Sequence, residues 1–302
     1  MAVPDKPMKL LVLGINYDPE IISIAVYTAG LAESMAEAGI TTDVVTAKPY
    51  FPAWRVFDGW RGPFWRARRS ESGVQIVHCP LYVPAKPTDP RRILHHASFA
   101  VTALPVMLWK ALSGRPDIVF VIAPSMVAAP VGWLAARLCG ARAWLHIQDF
   151  EVEAAFATGL LSENSRIGRA AKGFESWVLR RFDKVSTISR PMIDKLRDKN
   201  VPRDRIYELR NWANLARITP LTGPSPMKAE LGITTPYVAL YSGNLANKQG
   251  LEIIPQMARA LAHRDDLTFL VCGEGPMREA LVKMAKGIDN ITLSYARKLV
   301  TA

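Results

Sequence analysis

Two stretches late in the 302-residue sequence combine residue types and spacing suited to holding a phosphate. The first is PYVALYSGNLANKQGLEIIPQMARAL, starting at Pro236, and the second is LTFLVCGEGPMREALVKMAKG, from Leu267 to Gly287. In each, a short apolar run (Tyr237–Tyr241, then Leu267–Cys272) meets glycine and passes into a helix-like pattern. That order is the strand, tight turn and helix of a βαβ unit. Glycine lets the backbone turn sharply at a strand end, and the helix that follows begins with amides lacking intrahelical partners. Those amides and the helix dipole favour an anion. Lys248, five residues past Gly243, adds a full positive charge beside the first turn. Together they suit a diphosphate. Alone, Lys248 would read as an ordinary lysine at a helix start.

The rest of the chain must position these turns. Its length suffices for two ordinary cores, and a hydrophobic content of 49% with mixed charge is that of a globular protein. Lys9–Asn16 (KLLVLGIN) reads as a buried parallel strand. Tyr17–Ser23 is a loop, Ile24–Ala38 a helix closed by Gly39, and Thr42–Ala47 a second strand. The chain thus opens with βαβ, and the fold class is α/β with a parallel sheet. Further strands are expected at Val74–Cys79, Asp117–Ala123, Ala143–Ile147, Lys184–Ile188 and Ile206–Arg210. Helices are expected at Arg91–Leu112, Met126–Leu138, Arg166–Phe182 and Met192–Lys199. The apolar span Ile118–Leu138 reads as a strand and a helix, not a membrane crossing, because Pro124 and Pro130 interrupt it. Proline-rich composition marks residues 212–235 as a linker between domains 1–211 and 236–302.

A net charge of +11 asks for an anionic substrate, an anionic membrane or nucleic acid. No RNA- or DNA-binding signature accompanies it, which argues against nucleic acid. Tyr50–Arg69, YFPAWRVFDGWRGPFWRARR, interleaves seven aromatics with five arginines and reads as a long loop. One reading is aromatic packing over a domain edge. The other presents Trp54, Arg55, Trp60, Arg61, Trp65 and Arg66 to lipid headgroups. With the arginines of 166–181, the second suggests a cytoplasmic protein lying on the anionic inner face of the cytoplasmic membrane. Cys79, Cys139 and Cys272 stand far apart in apolar runs, as buried thiols in a reducing compartment do. The N-terminal residues lack a small-residue cleavage site and are not a signal peptide.

The motifs NYDPE…IAVYT (Asn16–Thr28), LHIQDFE (Leu145–Glu151), VSTIS, RNWAN, SGNLANKQG and GEGP resemble those of GT-B glycosyltransferases of the family 4 type. Within that family the likeness is to bacterial exopolysaccharide enzymes of the colanic acid fucosyltransferase kind, and it runs from Met8 to about Leu293. The resemblance implies two Rossmann-like domains, the C-terminal one holding a GDP- or UDP-linked sugar. The sugar moves with retained anomeric configuration to a lipid-linked or polysaccharide acceptor on the N-terminal domain. Lys248 matches the lysine that grips the diphosphate, and Asn244 stands where many members carry arginine. Gly243 and Glu274 belong to the same donor-side motifs. Gly273 and Gly275 match glycines that let the backbone approach the donor. Asn16, Tyr17 and Ser23 belong to the loop near donor and acceptor. His146 matches a strand-end histidine facing the donor sugar, though a satisfied core histidine is its plain alternative. Asp149, Glu151 and Glu153 follow and either orient the acceptor or are solvated carboxylates. No Asp-X-Asp pair occurs, so protein cations, with no metal or other cofactor, would serve the leaving group.

Two departures carry expectations of their own. Ser23 replaces a glycine, which would strain the backbone if positive φ were needed. The family also continues through a Glu-X7-Glu segment, whereas this sequence reads SYARKLVTA up to Ala302. A truncated second domain and weak or absent transfer are the expectations. Two rivals follow: a non-catalytic nucleotide-sugar or membrane-binding protein, and a dinucleotide-dependent oxidoreductase or epimerase. Against the latter, Arg278 occupies the third glycine position of the G-x-G-x-x-G pattern.

Overall fold

The computed structural model describes residues 7–85, 88–157, 162, 164–213, 215 and 220–294. The chain divides into two compact units, Met1–Ala213 and Asn214–Ala302. The first runs β1 (Lys9–Gly14), α1 (Ser23–Glu37), β2 (Thr41–Ala47), β3 (Arg66–Arg69), β4 (Gln75–Cys79) and α2 (Asp89–Gly114). It continues β5 (Ile118–Ala123), α3 (Ala129–Cys139), β6 (Arg142–Ile147), α4 (Glu151–Ala157), α5 (Arg166–Arg181), β7 (Lys184–Thr187), α6 (Arg190–Asp198) and β8 (Ile206–Glu208). Among the described residues these eight strands form one sheet, ordered β3-β4-β2-β1-β5-β6-β7-β8. Every neighbouring pair is parallel except β3 with β4.

The sheet is parallel because its strands are apolar on both faces and the crossover helices cover both. Leu11, Leu13, Val121 and Leu145 point to one face, where Phe99 and Met107 of α2, Ala135 of α3 and Val178 of α5 cover them. The alternate residues Leu10, Val12, Phe120 and Ile122 point to the other face, against Ala32 of α1. Each large side chain buried this way stabilises the unit by about 1.5–3 kcal/mol.

Arg66–Arg69 is a correction to the long-loop reading. It pairs antiparallel with β4, Arg66 opposite His78 and Arg69 opposite Gln75. As an edge strand with little to bury, it shows no apolar alternation that would announce it.

The second unit runs α7 (Pro226–Glu230), β9 (Tyr237–Ser242), α8 (Ile253–Ala260), β10 (Leu267–Cys272), α9 (Arg278–Ala285) and β11 (Ile291–Ser294). Its described strands are parallel, in the order β11-β10-β9. Leu245, Leu251, Val271 and Leu281 form one core cluster, and Ile233, Leu270 and Cys272 another. Ile233 therefore attaches part of the proline-rich stretch to this unit. Pro226 is an N-terminal residue of α7, with Ser225 before it and Gly232 (φ +66°) after it, the usual punctuation of a short helix. Trp212 instead meets Tyr27 edge-on at 5.2 Å within the first unit.

Candidate functional site

In the second unit the turns after β9 and β10 lie side by side, since Ser242 and Cys272 are in register. The Gly243 amide donates to Cys272 O (3.0 Å), and the Leu245 amide donates to Glu274 O (2.9 Å). The Met277 amide donates back to Leu245 O (2.9 Å), and the Arg278 amide to Gly275 O (3.1 Å). A Cβ on Gly273 would lie 1.9 Å from Gly243 O, and one on Gly275 would lie 2.5 Å from Leu245 O. Both glycines are thus required where one turn approaches the other. The amides of Leu245, Met277 and Arg278, which the turn chemistry had suggested for an anion, are bound within the turns.

β9 does not pass straight into a helix. A 3-10 turn, Asn247–Gln249, intervenes before α8 begins at Ile253. Lys248 is the middle residue of that turn, and its side chain lies outside the described residues. Gly243, Asn244 and Glu274 are exposed and Gly275 is half-buried. Tyr241 Oη donates to Asn244 O at 2.9 Å and pins the first turn.

In the first unit, candidate residues gather at the carboxyl ends of β1, β2, β5 and β6, the edge where α/β sheets bind ligands. Asn16 Nδ2 donates to Glu20 Oε2 (2.7 Å), while Glu20 Oε1 accepts the amides of Tyr50 and Phe51, each at 2.7 Å. One buried carboxylate thereby ties the loops after β1 and β2. Burial pushes that carboxyl above its ordinary value, against hydrogen bonds that favour the charged form. Tyr17 is buried, and its hydroxyl donates to Glu33 (3.3 Å). Ser23 is the exposed first residue of α1, with no positive φ. The strain expected of a serine there does not arise.

His146, the penultimate residue of β6, is buried with Nδ1 2.9 Å from Ser186 Oγ. Trp144 Nε1 donates to the same hydroxyl at 2.9 Å. Phe120 stacks on the imidazole, centroids 5.8 Å apart. Burial outweighs the hydrogen bonding to Ser186 and pushes the imidazole down to about 4. At neutral pH it offers one N–H and one lone pair, and no charge.

Asp149 is exposed between β6 and α4. Glu151, the first residue of α4, is no solvated carboxylate. Its oxygens accept the amides of Ser125 (3.0 Å) and Met126 (2.8 Å), holding the turn after β5. Ser125 there is left-handed at φ +89°, an uncommon conformation for a residue with a side chain. Burial pushes the Glu151 carboxyl up, opposed by those amides. Glu153 is held by Lys195 (2.5 Å) and Lys199 (3.1 Å), and Lys199 also meets Glu175 (2.7 Å). Burial raises the Glu153 carboxyl, but the two lysines prevail and bring it below its ordinary value. Asp149, Phe150, Glu153, Lys195 and Lys199 line a cavity of about 890 Å³.

Glu20, Tyr50, His95, His96 and Ser125 escaped the sequence reading. His95 Nδ1 lies 2.6 Å from Tyr82 O. Its Nε2, His96 Nδ1 and Ser125 Oγ are buried without a partner. The signal available was a pair of adjacent histidines inside an otherwise apolar helix.

The aromatic–arginine segment folds largely onto the first unit. Trp54 packs on Tyr50 (5.7 Å) and His95 (5.4 Å), with Arg92 over its ring. Trp60 meets His78 at 4.5 Å, and Arg66 covers it. Arg55 and Arg61 share Asp58. Trp65 Nε1 donates to Thr102 O on α2 (2.9 Å). Among the described residues no three His, Cys, Asp or Glu side chains converge as metal ligands would.

Known proteins share this architecture. The chain is similar to sucrose-phosphate synthase from Thermosynechococcus elongatus, with a TM-score of 0.66 at 16% identity over 95% of this chain and 70% of that one. It is similar to Anabaena HepE, solved in complex with UDP-glucose, with a TM-score of 0.56 at 13% identity over 95% and 69% of the two chains. Likeness at such identity speaks for the fold, that of GT-B glycosyltransferases. In sequence it is 38% identical over 293 residues to Escherichia coli WcaI, a glycosyl transferase whose name assigns it to colanic acid biosynthesis. That match covers 94% of this chain and 70% of WcaI. Residues 23–212 match the model of the glycosyl transferase 4-like domain. The chain therefore belongs to the glycosyl transferase 4-like family and is a glycosyltransferase by class.

Proposed function

We propose that the chain is a retaining transferase, moving a sugar from a GDP- or UDP-linked donor to a lipid-linked oligosaccharide in exopolysaccharide assembly. The bond from the anomeric carbon to the diphosphate breaks, and a bond to an acceptor hydroxyl forms on the same face of the sugar. The acceptor proton leaves with the diphosphate. Charge builds on that leaving group, so fixed donors beside it stabilise the transition state more than the ground state.

The observation that carries this reading is the pair of interlocked turns after β9 and β10. Their mutual hydrogen bonds make a rigid corner on which Gly243, Asn244 and Glu274 are exposed, with Lys248 a few residues further along the chain. Amides not bound within the turns and the Lys248 ammonium would meet the diphosphate, and no metal or cofactor is assigned a part. On the first unit, neutral His146 is suited to hydrogen-bond the donor sugar. The polar groups of Asn16, His95, His96 and Ser125 offer partners to acceptor hydroxyls, while Glu151 holds their turn. The 38% identity to WcaI supports the exopolysaccharide setting. HepE with UDP-glucose supports a nucleotide sugar as donor. Both substrates would be met at the cytoplasmic face of the membrane.

A thermal-shift panel of GDP- and UDP-sugars on the full chain tests the donor reading, because a ligand of the folded state raises its melting point. One nucleotide class should shift the wild type and shift Lys248→Met far less. No shift with any nucleotide sugar would remove the donor site. Transfer of labelled sugar to a lipid-linked acceptor then tests the reaction itself.

A further inference from the structure

The outward face of α2 carries no charge along its middle. His95, Phe99, Ala103 and Met107 turn into the unit and are buried. On the opposite side, at 100° per residue, lie Leu94, Val101, Pro105, Leu108 and Leu112. Leu94, Val101 and Leu112 are 54%, 70% and 58% exposed, and Trp109 beside them is 63% exposed. Lys110, the one lysine of α2, is buried and turned inward onto Asp43 at 2.5 Å. A surface helix normally shows polar residues there, and one that is apolar all round is either buried or in lipid. Trp65, bonded to Thr102 O, extends the strip, and its neighbour Phe64 is 77% exposed.

The two helices that flank α2 on its face of the sheet carry accessible charge of one sign. α3 and α5 share a face of the sheet with α2. α3 contains no carboxylate, and the single one of α5, Glu175, is buried. Arg137 of α3 and Arg166, Arg169 and Arg180 of α5 are exposed, as are Arg91 and Arg92 at the start of α2. An apolar strip beside cations is complementary to the boundary between acyl chains and anionic headgroups. Arg91–Gly114 is by length and composition able to cross a membrane. However, α2 could not leave the sheet without stripping Phe99 and Met107 from the core, so a helix lying in the plane is the arrangement that fits.

We propose that α2, with Phe64 and Trp65, docks the first unit onto an anionic phospholipid bilayer, while the arginines of α5 engage headgroup phosphates. The docking face sharpens the membrane setting proposed above and moves it away from Trp54 and Trp60, which the unit itself engages. It is independent of sugar transfer, since lipid binding is read without nucleotide sugar.

The test is co-sedimentation of the full chain with vesicles of phosphatidylcholine, with or without phosphatidylglycerol. The wild type should bind the anionic vesicles. Val101→Glu with Leu108→Glu should weaken binding by about tenfold or more, since burial of even one such side chain is worth that much. Arg166→Glu with Arg169→Glu should reduce the preference for phosphatidylglycerol. Nucleotide-sugar shifts and melting temperature should stay at wild-type values in both. If the glutamate variant fails to fold, brominated-lipid quenching in the wild type, reduced in Trp109→Phe and again in Trp65→Phe, reads the same contact. Wild-type binding by a folded Val101→Glu, Leu108→Glu variant would overturn the proposal, as would indifference of the wild type to anionic vesicles. So would a lipid-free dimer that this variant makes monomeric, which would assign the face to a second copy of the chain.

Discussion

Acidification from about pH 7.5 to about 5.5 tests whether the first unit is built around neutral imidazoles. Burial pushes His78, His95, His96 and His146 each down to about 4. In the unfolded chain a histidine titrates near 6.5. The folded values are depressed, so across this window the unfolded state binds more protons. The stability these groups confer is complete above the unfolded value and is lost as pH falls towards the folded one. Each histidine costs about 1 kcal/mol over those two pH units, hence about 4 kcal/mol for the set. Glu20 and Glu151 act in the opposite sense, because burial raises their carboxyls and the folded state takes up their protons first. The carboxyls offset part of that loss, and what remains is a large part of an ordinary stability of about 5–15 kcal/mol. For a unit of this size it lowers the melting temperature by about 10 °C. Scanning calorimetry at the two pH values reads the effect, and His95→Gln and His146→Gln should each flatten the dependence. A melting temperature indifferent to pH, or a slope untouched by His146→Gln, would refute the burial argument and with it the uncharged role given to His146.

Three further perturbations separate roles. Lys248→Met should weaken nucleotide-sugar binding by about 10- to 100-fold, the value of a charge-assisted hydrogen bond, without changing stability; calorimetric titration showing an unchanged affinity would exclude the cationic grip. Gly275→Ala puts a Cβ 2.5 Å from Leu245 O and should destabilise the second unit by about 2–3 kcal/mol in urea unfolding. Gly243→Ala meets only the Tyr241 side chain, at 3.3 Å, so it should cost much less, and equal effects would contradict the interlocked turns. Glu151→Ala releases two amides and should destabilise the first unit by about 2–3 kcal/mol, with Glu151→Gln losing less; intact stability with lost transfer would reassign the residue to the acceptor.

The buried strands were legible because a parallel strand covered on both faces must be apolar without interruption, as in KLLVLG, IVFVIA and LTFLVC. RARR of β3 escaped because an edge strand need bury little and obeys no such rule. Glycines 273 and 275 were visible as turn positions, but the cause of their small size was not. It is the carbonyls of Gly243 and Leu245, about 30 residues earlier in the chain, that leave no room for a side chain. Glu20 was likewise silent, since its amide partners at Tyr50 and Phe51 are brought to it by the order of β1 and β2 in the sheet.

The same logic decides what α2 is for. Sequence periodicity reports an apolar face and assigns it to the core, yet α2 has apolar residues on two sides and periodicity cannot rank them. The packing does: Phe99, Ala103 and Met107 are buried, which leaves Leu94, Val101 and Leu112 more than half exposed. Water is a poor solvent for such a strip, so a strip this long on a helix this firmly anchored implies a second apolar phase outside the protein. The absence of accessible carboxylates on α3 and α5, beside exposed arginines, suits a phase with an anionic boundary, which is the property the vesicle series measures.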